Sequence, residues 1–269
     1  MDSQLLVLAI SFFIIAAIYS AVGFGGGSSY VALLALSGIP FAHIPIVGLV
    51  CNVIVTASGS WHFSRAGHFQ PSLLWPFLLG SLPFAFLGGS LKTSESVFFL
   101  LLGLTLVGAG LRLVVKRKDY DARLPVRKRP VIISLLIGIV LGLLAGLTGI
   151  GGGIFLAPIL INYGWGHPKQ VASAASFFIL ANSLAGLFGQ MIKINLHMEL
   201  LCFWPLALVV FIGGQIGSKI ASGPLVRPWA IVRLTGILTL IVGLQLLHKE
   251  MTKFTPKFAA AVEEYLGES

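Results

Sequence analysis

Two clusters of glycine interrupt long apolar stretches of this chain: Gly23, Gly25, Gly26 and Gly27 in GFGGGSSY, and Gly149, Gly151, Gly152 and Gly153 in GIGGGIFL. Glycine permits positive φ and close backbone approach, and it weakens any helix it interrupts. In hydrocarbon, such a run frees backbone N–H and C=O groups that must be buried in protein or face a wet cavity. A short helix following each cluster would begin with unpaired N–H groups and the positive end of its dipole, an arrangement that receives anions. In the first copy, Ser28 and Ser29 either cap that helix or add hydroxyl donors. The second copy has Ile154 and Phe155 next, so its donors are the backbone groups of Gly151, Gly152 and Gly153. The alternative use of both clusters is close helix packing, the use expected of Gly80, Gly88, Gly89, Gly138, Gly142 and Gly146.

Two asparagines, Asn52 and Asn182, stand in the middle of otherwise apolar runs. An amide there either donates to the oxygens of a bound anion or links helices. Thr56, Ser58, Ser60, Ser173, Ser176, Ser183 and Gln190 share those two runs; they either line the same path or bond back to their own helix. His62 and Arg65 follow the polar stretch after Asn52 and can attract anions to one mouth, or simply sit at the membrane interface. Apart from Glu95 and Glu199, at the starts of their helices, no Asp or Glu falls inside an expected span, which removes the usual carboxylate proton relay and the carboxylate type of sodium site. No metal-ligand cluster, nucleophile elbow or phosphate loop occurs, so neither a cofactor nor an enzymatic activity is expected.

These residues need a membrane scaffold. Of the 269 residues, 57% are hydrophobic and 10% charged, far fewer charges than the roughly 25% of a soluble domain. Long helices are expected at about 4–22, 44–63, 71–91, 95–115, 131–148, 171–190, 199–221 and 229–248. Shorter apolar pieces at 28–39 and 154–165 follow the glycine clusters. Twelve residues rise only about 18 Å, too little to span alone, so they read as half-helices. Trp75-Pro76 and Trp204-Pro205 read as interface anchors with the prolines opening their helices. Cys51 and Cys202 lie in apolar runs and read as buried thiols.

The net charge of +9 does not point to nucleic acid, because seven basic residues fall in one stretch, KRKDYDARLPVRKR, Lys116–Arg129. Such a loop marks the cytoplasmic side and can meet anionic lipid headgroups. It separates two similar halves. The glycine clusters align, Gly38 aligns with Gly164, Asn52 with Asn182, and Trp75-Pro76 with Trp204-Pro205. The expected organisation is therefore a first transmembrane repeat at 1–115, a basic cytoplasmic linker at 116–130, a second repeat at 131–248, and an amphipathic tail at 249–269. The tail either lies on the membrane surface or meets a second protomer in a homodimer. The fold class is an all-α, internally duplicated helix bundle with two glycine-broken helix and half-helix units. Counting basic residues leaves parallel and inverted repeats tied; inversion is favoured because transporters built that way bring broken helices to a central site.

Together, GFGGGSSYVALLALSGIP and GLTGIGGGIFLAPILINYGWGHPKQVASAAS resemble the TauE/SafE family of sulfite exporters. The second is the closer match; the first has Ala32 where Pro158 stands. The resemblance implies an inner-membrane carrier of small sulfur-containing anions, such as sulfite, sulfoacetate or another organosulfonate. The residues read above as candidates to bind that anion are Gly25, Gly26, Gly27, Ser28, Ser29 and Asn52 from the first half, with Gly151, Gly152, Gly153 and Asn182 from the second.

Overall fold

The structure is a computed structural model that describes residues 3–21, 23–115, 130–193 and 204–221, with 236–237, 240–241, 243–248 and 250–252 near the C-terminal end. The linker 116–129, the start of the expected helix at 199–203 and most of the tail lie outside the described residues. Among the described residues the regular elements are helices: α1 (Ser3–Ser20), α2 (Gly27–Leu36), α3 (Ile44–Arg65), α4 (Pro71–Ser90), α5 (Glu95–Val115), α6 (Val131–Thr148), α7 (Gly153–Asn162), α8 (Pro168–Lys193) and α9 (Trp204–Ala221).

Both expected half-helices are present, and each starts at the last glycine of its cluster. Pro71 sits at the first position of α4, where a missing N–H costs nothing. Pro76 lies one turn further in and so does not open the helix; Pro83 lies inside it as well. α8 begins earlier than the apolar run suggests, because Pro168 supplies a fixed φ suited to a first turn.

Helix directions follow from residues that touch. Gly213 and Gly217 of α9 abut Phe13 and Ala17 of α1, and Ser58 of α3 meets Ser218 of α9, so α1, α3 and α9 run the same way. Gly138, Gly142 and Gly146 of α6 pack successively on Phe77, Ser81 and Ala85 of α4, which makes those two parallel. α8 runs with them and against α3: Gly59 meets Ser176, whereas Leu49 meets Gly186. The glycines expected to pack do so. A Cβ on Gly80, Gly88, Gly138, Gly142 or Gly146 would strike a backbone carbonyl of the facing helix, and one on Gly89 would strike that of Gly186.

The short helices run against their neighbours. Gly27 lies at the level of Asn52 and Val31 at that of Gly48, nearer the start of α3. Gly153 lies against Ile179, and the chain after α7 reaches Val171, near the start of α8. α2 and α7 therefore start in the middle of the bundle and point to opposite ends. Each is wrapped by its own apolar cluster. One holds the stacked pair Phe12 and Tyr30, with ring centroids 4.6 Å apart; the other gathers Phe77, Trp165 and Phe178.

The outside of the bundle is apolar too. Leu79, Ile132, Phe188 and Ile192 stand exposed on α4, α6 and α8, a surface suited to lipid and not to water. α3, α4, α6 and residues Lys169–Lys193 of α8 are each long and apolar enough to cross a membrane. Between them they make this an all-α, multi-pass membrane protein.

Candidate functional site

The two glycine breaks meet at one side chain. Asn52, fully buried on α3, donates from Nδ2 to the Gly149 carbonyl at 3.3 Å. Its amide also fills the space that side chains would need at Gly25 and Gly27 of the first break and at Gly151 of the second. Gly26 and Gly152, with φ of 82° and 75°, turn the chain into α2 and α7 through left-handed conformations that a side chain would strain. This is where the run of glycine is needed: Gly23 and Gly26 in the first break and Gly149, Gly151 and Gly152 in the second take positive φ, while Gly25, Gly27 and Gly151 leave room for Asn52.

Neither short helix has a side-chain cap. The N–H groups of Ser29 and Tyr30 turn back to the Gly26 carbonyl, and those of Phe155 and Leu156 to Gly152. Among the described residues, no acceptor takes the N–H groups of Gly27, Ser28, Gly153 or Ile154, although all four residues are buried. Two unpaired helix starts thus face each other across Asn52, each carrying roughly half a positive charge.

The serines act differently from one another. Ser29 Oγ bonds the Tyr19 hydroxyl at 2.6 Å, while Ser28 Oγ is buried without a partner. Neither caps the helix, because Gly26 holds the cap position in a left-handed turn. From the second half, Ser183 brings an unpartnered Oγ to Gly151. Asn182, also fully buried, departs from its counterpart: Nδ2 donates to the Phe178 carbonyl of its own helix at 2.8 Å. One amide therefore ties the two breaks together and the other serves its own helix.

This difference predicts unequal costs. Asn52→Ala removes a hydrogen bond between the halves and strands the buried Gly149 carbonyl, so it should lower stability by about 1–3 kcal/mol. Asn182→Ala loses only a bond within α8 and should cost less than half as much. Thermal melting of both variants in detergent checks this; equal losses would contradict the bridging role of Asn52.

A seam of hydroxyls leads away from Asn52 between α3, α8 and α9. Thr56 Oγ1 donates to the Asn52 carbonyl at 2.6 Å, and Ser176 Oγ to the Thr56 carbonyl at 3.3 Å. Ser60 and Ser176 share a hydroxyl contact at 3.3 Å, as do Ser58 and Ser218. His62 then contacts the Ser58 carbonyl through Nδ1 at 2.8 Å. Several of these hydroxyls, together with Gln190, which donates to the Gly146 carbonyl at 3.0 Å, bridge helices and do not simply bond back. His62 and Arg65 stand ten and thirteen residues beyond Asn52, roughly 15–20 Å along α3. They stand toward the end of α3 and not at the breaks; Arg65 lies over the Trp61 ring at 5.5 Å.

The buried polar residues of α1–α9 are all neutral, and among the described residues no group of His, Cys, Asp or Glu could hold a metal ion. Cys51 is a buried free thiol within an apolar cluster. Tyr19 and the carbonyls of Gly149 and Ile150 at the breaks are not legible from residue types. An aromatic in an apolar run reads as core, and a backbone carbonyl has no sequence signal at all.

The family profile described as Sulfite exporter TauE/SafE matches residues 8–246. A relative from Sinorhizobium fredii, described as "Probable membrane transporter protein y4hK", is 35% identical over 250 residues, covering 92% of this chain and 100% of the relative. No solved structure matches. Glycine-broken helices, a neutral buried seam, a profile over nearly the whole chain and a full-length relative lead to one conclusion: the chain belongs to the TauE/SafE sulfite exporter family and is a membrane transporter, not an enzyme.

Proposed function

We propose that this transporter carries small sulfur oxyanions or organosulfonates, with the two glycine breaks as the binding site and alternating access around Asn52 as the mechanism. The observation that carries this reading is the pair of uncapped, buried helix starts of α2 and α7, opposed across one amide. A sulfonate offers three acceptor oxygens, and each hydrogen bond to a charged partner contributes about 1.5–3 kcal/mol. Backbone donors from both breaks would offset much of the dehydration cost without a buried cation. Asn52 and the breaks are in mutual contact, so the anion is received when the halves part.

The pattern of packing supports internal duplication. Exchanging α1–α4 for α6–α9 turns the α4–α6 contact into the α9–α1 contact, α4–α8 into α9–α3, and α2–α3 into α7–α8; each of these pairs exists. The opposite directions of α1 and α6 support inversion, with the two breaks related across the bundle centre. α3 ends and α6 begins at the same end of the bundle, the end joined by Lys116–Arg129 and carrying Arg65. By the positive-inside tendency we assign that end to the cytoplasm and the protein to the inner membrane. The hydroxyl seam then leads inward from the breaks.

Export follows from energetics. An inside-negative potential favours outward movement of an anion by about 2.3 kcal/mol per charge per 100 mV, and the buried polar residues of α1–α9 include no carboxylate that would bind a coupling cation; the buried carboxylate among the described residues is Glu250, beyond α9. Melting curves of the purified protein with sulfite, thiosulfate, sulfoacetate, taurine and sulfate test the reading. Stabilisation by at least one sulfur anion, abolished in a Gly27→Ala variant, is expected. A flat response to the whole panel would sink it.

A further inference from the structure

Besides its donors, the cradle holds two acceptors that no donor meets. Asn52 Oδ1 is fully buried and unpartnered. Among the described residues, nothing donates to the Ile150 carbonyl oxygen. Both oxygens crowd Gly27, each 2.7 Å from the position a Cβ would take there. Turning the amide does not relieve this, because Nδ2 is committed to the Gly149 carbonyl and the turned group would set oxygen against oxygen. A buried acceptor without a donor is costly. Beside a ligand whose every oxygen is also an acceptor, the cost rises.

We infer that the anion taken here brings its own hydrogen-bond donor: a singly charged sulfur oxyanion bearing O–H or N–H, and not a dianion. The hydroxyl form of hydrogensulfite, or a sulfonate with a nearby hydroxyl group, meets this description. Its sulfonyl oxygens accept from the N–H groups of Gly27, Ser28, Gly153 and Ile154, and its donor is given to Asn52 Oδ1 or the Ile150 carbonyl. This rests on the anion-site reading above.

The consequence for transport is a matter of charge. With hydrogensulfite as cargo, one turnover moves one negative charge and one proton together, where sulfite would move two negative charges. The proton travels on the substrate, so a path lined by neutral buried residues suffices and no carboxylate relay is needed.

The test uses wild-type protein in detergent and four ligands. Isethionate and 1-propanesulfonate have nearly the same shape, but only isethionate carries a hydroxyl. Sulfate is a dianion without a donor, and sulfite is titrated through the range in which hydrogensulfite loses its proton. Binding is read from the ligand dependence of the melting temperature. Isethionate should bind more tightly than 1-propanesulfonate by roughly tenfold or more, and sulfate should have no effect. The affinity for total sulfite should fall as pH rises, while that for isethionate stays level over the same window. If 1-propanesulfonate and sulfate bind as well as isethionate, and sulfite binding ignores pH, the donor requirement is overturned and the anion site stands. If none of the four binds, the anion site itself is overturned.

Discussion

Gly27→Ala is expected to abolish transport in a protein that still folds. The added Cβ would land on the Asn52 amide and 2.7 Å from the Ile150 carbonyl, at the point where both breaks converge. Overpacking of this kind costs about 1–3 kcal/mol, an amount a bundle of this size can absorb. The binding site cannot absorb it, because either Asn52 turns away from Gly149 or the start of α2 shifts away from α7. Loss of even two of the charge-assisted bonds, each worth about 1.5–3 kcal/mol, corresponds to a fall of more than a hundredfold in affinity. Substrate flux per folded protein should drop to background, with the monodisperse peak retained on size exclusion. Gly108→Ala is the control, since nothing lies within 4 Å of a Cβ there. Normal flux in the Gly27 variant would show that the close approach to Asn52 has no functional role.

Gly142→Val should have the largest effect on stability. The α4–α6 crossing is built on backbone contact: a Cβ on Gly142 meets the carbonyl and Cα of Ser81, with Gly138 on Phe77 and Gly146 on Ala85 one turn to either side. A clash with backbone has no rotamer to relieve it, so the two helices must separate along the whole seam. In a membrane, where association depends on van der Waals contact and not on expulsion of water, separation loses most of what holds the pair together. A cost at or above the upper end of about 1–3 kcal/mol follows, which lowers the melting temperature by roughly 6–12 °C. Gly108→Val should move it by less than a quarter of that. Melting of both variants in one detergent decides the matter; similar values would mean that the crossing tolerates widening.

The glycine clusters, the half-helices and the long helices were legible because they rest on local physics. Apolar runs set length, Pro71 sets the start of α4, and positive φ at Gly26 and Gly152 sets the breaks; the start of α8 at Pro168 precedes the apolar run and was missed. Pro76 misled because a proline one turn inside a helix and a proline at its start look alike in sequence. The meeting of both breaks at Asn52 was not legible: Gly149 lies 97 residues away from it, and no composition rule pairs them. Alignment of the halves made Asn52 and Asn182 look equivalent. Their hydrogen bonds differ because the Gly149 carbonyl lies within reach of Asn52, while Asn182 donates within its own helix to Phe178. Ser28 and Ser29 were similarly ambiguous until the cap position proved to be Gly26.

Two opposed helix starts that bind and move a sulfur anion make transport electrogenic. Electrogenic flux in proteoliposomes tests it most directly, with the membrane potential clamped and no proton or sodium gradient applied. A current carried by hydrogensulfite or isethionate is expected, with the anion moving outward when the cytoplasmic side is negative, and lost in both Gly27→Ala and Gly151→Ala. A current that persists in both variants, or no flux of any sulfur anion through the wild-type protein, would contradict it.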